Sequence, residues 1–140
     1  MIKEIVNLWE ENKHRLEDYF RSTLQNEYDQ YEVIVKKIFE LIVNSEKSTR
    51  YKFDVHKMTI INDGDYQGTL IFIVSKSTYQ PDAEEYLVTD TYYGSCSGCD
   101  TLLTISEYSD RLPSDEQVRE YMTLALHLVQ KTRWLFTAEE

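Results

Sequence analysis

The chain has 140 residues, 41% of them hydrophobic and 29% charged, with four Gly and two Pro; this is enough apolar sequence for one core and argues against a disordered or fibrous chain. Its formal net charge of -10 argues against direct binding to nucleic-acid phosphates, which calls for a basic patch. No apolar run approaches the ~18 residues of a membrane span, and the opening MIKEIVNLWEENKH is charged throughout where a signal peptide is apolar, so a cytosolic location is expected.

Residues 2 to 25 predict an amphipathic helix. Ile2, Ile5, Val6, Trp9, Leu16, Tyr19, Phe20 and Leu24 share its apolar stripe, and Glu4, Glu11, His14 and Asp18 fall opposite. A second helix fits residues 29 to 43 through Tyr31, Ile34, Val35, Ile38, Leu41 and Ile42, and the polar NSEKSTR ends it.

The period then changes from helical to alternating. YKFDVHKMTIIN predicts a strand, with Phe53, Val55, Thr59 and Ile61 on one side. NDGDYQG is turn chemistry, and TLIFIVSK is a near-continuous β-rich run suited to a strand covered on both faces or in the centre of a sheet. Pro81 breaks that strand, after which YLVTDTYY predicts a third. Short connections favour a three-stranded antiparallel meander. Asp63 to Gly68 resembles the start of a calcium-binding loop, but the twelfth position is Val74, where calcium requires a bidentate acid, so a hairpin turn is expected instead.

YYGSCSGCDTLLTI holds the only two cysteines, Cys96 and Cys99, spaced C-x-x-C. Zinc needs about four ligands, and this knuckle supplies two; a symmetric dimer bringing two knuckles together would supply four. A redox dithiol gains from the position between a strand and a helix N-terminus, although the surrounding negative charge opposes thiolate formation. The residues favour a third reading, a tight small-residue turn through Gly94 and Gly98; a loop offering backbone amides to an anion or partner is a fourth. Asp100 is placed to cap a short helix through TLLTISEY. Ser114 and Gln117 form a capping-box start for a last helix running to about Phe136, with Val118, Tyr121, Met122, Ala125, Leu128, Val129 and Thr132 buried and Trp134 opposite.

The expected fold is therefore one α+β domain over residues 1–140, in the order α-α-β-β-β-(short α)-α, with a three-stranded antiparallel meander packed by helices. No catalytic motif with diagnostic spacing occurs. From Asp82 to Glu120 ten acids stand against Arg111 and Arg119, a local net charge of -8. That segment, with its interspersed tyrosines, is the expected binding surface: Glu84, Glu85, Asp90, Asp115, Tyr92 and Tyr93 would face a basic protein partner.

The runs GDYQGTLIFIV, YQP, YYGSCSGCDTLLTI and YMTLALHLVQ, across residues 63 to about 130, resemble a family of small proteins encoded by bacteriophages and prophages. That resemblance implies a bacterial host cytosol and an accessory role in infection; it supplies no catalytic residue. The expectation is a non-enzymatic accessory protein, monomer or homodimer, that binds a host or phage macromolecule, one form being an inhibitor that imitates the charge of DNA. The alternative is a metal-binding (zinc) or thiol-redox protein using Cys96 and Cys99.

Overall fold

The computed structural model describes residues 2–25, 30–45, 52–64, 67–94, 101–106 and 111–136. Helix α1 (Ile2–Ser22) buries Ile5, Leu8, Trp9, Asn12, Leu16 and Phe20, a stripe at i, i+3 and i+4 spacing. The stripe is rotated from the expected one. Val6 and Leu24 are exposed, and polar Asn12 takes a buried place because its Nδ2 donates to the Leu8 carbonyl at 2.9 Å. Helix α2 (Gln30–Ile38) runs directly into a π-helical turn, Phe39–Val43. The wider turn closes with Asn44 N–H donating to the Phe39 carbonyl; Leu41 is only partly buried, and Phe39 and Val43 join the expected Ile42 in the core.

The first strand is shorter than the alternation predicts. Phe53 makes an isolated bridge to Lys76, a 3-10 turn occupies Val55–Lys57, and β1 covers only Thr59–Asn62. The local cause is Asp54, whose Oδ1 accepts the His56 N–H at 3.0 Å and bends the chain out of the strand. β2 (Gly68–Ser75) and β3 (Tyr86–Tyr93) follow, linked through a 3-10 turn at Ala83–Glu85.

Between β1 and β2 the turn is the hairpin the sequence predicts. Asp63 Oδ1 accepts the Thr69 N–H at 2.6 Å, and the Tyr93 hydroxyl donates toward Asn62 Oδ1 and the Gly64 carbonyl. A Cβ on Gly64 would stand 1.9 Å from the Gln67 carbonyl oxygen, so close backbone approach requires glycine there.

Helix α3 (Thr101–Ser106) and helix α4 (Asp115–Lys131) complete the helical layer. α4 starts at the expected capping box: Gln117 N–H donates to Ser114 Oγ at 3.2 Å, and Ser114 N–H to Gln117 Oε1 at 2.9 Å. Its end differs from expectation. The helix stops at Lys131, and Arg133–Trp134 form a fourth strand, β4, antiparallel to β3. Thr132 N–H turns back to the Val129 carbonyl, which frees the Leu128 carbonyl; the hydroxyls of Thr132 and of Thr89 in β3 both donate to it at 2.8 Å. The sheet is thus four-stranded, in the order β1-β2-β3-β4, and replaces the expected three-stranded meander.

One face of that sheet meets the helices. Phe72, Val74 and Leu87 join α1, α2 and α4 side chains in a single core cluster. Phe20 stacks on Tyr121 with ring centroids 5.0 Å apart, which ties α1 to α4. Burial, and then the charge of Glu120, push the Tyr121 hydroxyl from 10.0 up to about 12. The folded state holds this proton more tightly than the unfolded chain, so its contribution is complete below pH 10 and is lost as pH rises toward about 12. Urea midpoints measured across that range should fall more steeply for the wild type than for Tyr121→Phe. Parallel curves would show that Tyr121 does not titrate differently in the two states.

Candidate interaction surface

Strand pairing decides which side chains share each face, because partners in register point the same way. On the core face lie Leu70, Phe72 and Val74 of β2 with Leu87, Thr89, Thr91 and Tyr93 of β3. On the other face, Thr59, Ile73, Val88 and Arg133 form one row, and Ile61, Ile71 and Asp90 form the next. Thr69 with Tyr92, and Ser75 with Tyr86, flank these rows. Ile61, Ile71, Ile73 and Val88 therefore make a contiguous aliphatic patch across three strands.

None of these four belongs to the core cluster or to the side chains packed against it. Val88 is 4% exposed, Ile71 and Ile73 are half-buried, Ile61 is 46% exposed and Tyr92 is 55% exposed. Among the described residues, no helix packs on this side of the sheet, whose other side the helices cover.

The expected binding residues separate on this frame. Tyr92 and Asp90 lie on the open face, whereas Tyr93, next in the strand, lies on the core face with its hydroxyl engaged by Asn62 and Gly64. Asp90 is flanked by cations: Arg133 Nη1 donates to Oδ2 at 3.2 Å, and Lys131 Nζ lies 3.9 Å from Oδ1. Glu85 Oε1 accepts the Asp82 N–H at 3.0 Å and Oε2 lies 3.5 Å from Lys76 Nζ. The backbone hydrogen bond, and then the lysine charge, hold its carboxyl below the usual carboxylate range.

Asp115 pairs with Arg21 of α1 at the start of α4, while Asp90 meets Lys131 at that helix's last residue. Seventeen residues of helix place these two acids about 24 Å apart. Glu84 is exposed in the turn before β3, more than about 20 Å along the strand from Tyr92. The acidic segment is thus several separate sites, three of whose expected members are neutralised by neighbours.

Cys96 and Cys99 lie outside the described residues, as does Asp100. His14, His56 and His127 are exposed, and among the described residues no group of three or more His, Cys, Asp and Glu is placed to hold a metal. Trp134 is on the core side, packed against Phe53 with ring centroids 6.2 Å apart and Lys76 Nζ 5.9 Å from its ring. Among the described residues no helix is long and apolar enough to cross a membrane. No family model matches the chain, and no curated protein or solved structure matches it.

Sequence reasoning took TLIFIVSK for a strand covered on both faces or central in the sheet, and did not single out the aliphatic patch. Its signal was present in TLIFIVS, where apolar residues occupy both parities of a strand; one parity fills the core and the other must be covered or left open.

Proposed function

We propose that the protein is a non-enzymatic accessory factor of phage infection that holds a protein partner against the open face of its sheet. The partner presents an apolar patch bordered by basic groups. The observation that carries this reading is the aliphatic patch of Ile61, Ile71, Ile73 and Val88, edged by Tyr92, on the face that the helices do not use. Ile61 and the exposed parts of Ile71 and Ile73 leave apolar surface in water, which forgoes about 25 cal/mol per Å² of stabilisation, and a polar-rimmed patch is typical of binding sites.

Charge supplies the partner's sign. The chain carries -10 overall, and Asp82 and Glu84 are exposed beside the Ser75–Tyr86 end of the patch, so a cationic rim would be drawn toward it. Glu85, Asp90 and Asp115 already have partners within the chain, which favours an apolar contact with acidic steering over a mimic of DNA charge.

Photocrosslinking side chains placed at Ile71 and, separately, at exposed Glu116 of α4 test this reading in the host cell. A specific adduct from position 71 and none from 116 is expected. Ile73→Asp should reduce recovery of that adduct roughly tenfold or more, because it puts a charge into the desolvated centre. Glu84→Gln should weaken it modestly and reduce its salt dependence. Adducts of equal yield from both positions, or none from 71, would refute the proposal.

A further inference from the structure

We infer that two copies of the chain associate by antiparallel pairing of their β1 strands, giving one eight-stranded sheet with a continuous open face. This goes beyond the binding role proposed above and rests on the edge of the sheet, not on its face.

β1 is an edge strand, and all four of its residues are exposed. Edge strands are ordinarily protected by a charge, a proline or a bulge. β1 has none of these: its sequence is TIIN, its register with β2 is unbroken, and Ile60 and Ile61 are 36% and 46% exposed. The opposite edge differs, since β4 has only two residues and carries Arg133.

The hydrogen-bond phase says which backbone groups of β1 are not used by β2. Asp63 N–H donates to the Thr69 carbonyl at 3.2 Å, continuing the β1–β2 register by one position. Backbone groups along a strand point alternately to its two sides, so Thr59 and Ile61 bond to β2, while Ile60 and Asn62 turn theirs to the open edge.

A second copy fits this edge because the sequence around it complements itself. With Ile60 opposite the partner's Ile60, the two residues exchange both backbone hydrogen bonds, and Asn62 falls opposite the partner's Met58. Thr59 then lies beside the partner's Ile61, extending the aliphatic patch across the two-fold axis. Lys57, the last residue of the 3-10 turn entering β1, falls beside the partner's Asp63, and the pair occurs twice by symmetry. Both side chains are exposed; Asp63 Oδ1 takes the Thr69 N–H, and the carboxylate keeps its negative charge within the same stretch of edge. Opposite charges paired across strands attract, so the register is selected by charge as well as by backbone. The contact is small, which places the dimer among weak, concentration-dependent assemblies.

Sedimentation velocity over about a hundredfold range of concentration tests this on the full chain, with amide exchange read at both ends of the range. The mass should rise from monomer toward dimer, and the amides of Ile60 and Asn62 should slow with concentration while those of Thr59 and Ile61 stay unchanged. Ile60→Pro removes a donor that β2 does not use and should weaken association roughly tenfold or more. Lys57→Glu makes both charge pairs repulsive and should do the same with an unchanged circular-dichroism spectrum, so the test survives if the proline variant misfolds. A wild type that stays monomeric throughout, or a dimer that neither variant weakens, overturns the inference. Crosslinking from Ile71 in the monomeric Lys57→Glu chain reads partner binding separately, so the two proposals can fail independently.

Discussion

Replacing Leu87 with Ala is expected to lower stability by about 3 kcal/mol, while Val88→Thr, one residue further along the same strand, should cost about 1 kcal/mol or less. Both side chains are nearly inaccessible, at 0% and 4% exposure, so burial alone would not separate them. Their neighbours do. Leu87 points into the helix-packed core, and truncation leaves a cavity that close-packed side chains fill only in part. Val88 points to the opposite face between Ile73 and Arg133, outside the core cluster, and exchanging one methyl for a hydroxyl of similar size leaves no cavity there. Urea denaturation of the two variants gives the comparison directly. Equal losses would mean that the outer face is packed as tightly as the inner one, and the interaction surface proposed for it would not exist.

That contrast also shows what one-dimensional reading can recover. The α+β class, the antiparallel pairing of the sheet and the Ser114 capping box were legible, because each rests on a local pattern several residues long. β4 was not, since two residues after a helix carry no period, and Thr132 fits a helical stripe as well as a helix end. The rotation of the α1 stripe depends on Asn12 bonding to its own helix, which lets a polar residue occupy a core position. For the binding surface, Tyr92 and Tyr93 could not both have faced one partner: adjacent residues of a strand point to opposite faces, and the pleat sends Tyr93 inward. The pairing of Asp90 with Arg133 across two strands, and of Asp115 with Arg21 across 94 positions, had no sequence signal.

The junction between the helical and sheet halves yields the other large effect. Asn44 follows the π-helical turn, and its side chain grips the backbone of Phe53 twice: Nδ2 donates to the Phe53 carbonyl at 2.7 Å, and Oδ1 accepts the Phe53 N–H at 2.7 Å. Phe53 is 3% exposed and packs its ring against Phe39 at 5.9 Å, so both of its backbone groups sit where water is a poor substitute. Asn44→Ala leaves a donor and an acceptor unmatched and should cost about 2–4 kcal/mol. Asn44→Asp keeps the acceptor but sets a carboxylate against the Phe53 carbonyl. That repulsion raises the folded-state pKa of the new acid above its unfolded value, so its penalty shrinks as pH falls and the protonated oxygen can donate. Relative to the wild type, Asn44→Asp should therefore recover stability on acidification, whereas Asn44→Ala should not. If Asn44→Ala changes stability by less than about 0.5 kcal/mol, the clamp contributes nothing measurable, and packing of Phe53 between Phe39 and Trp134 alone would join the two halves.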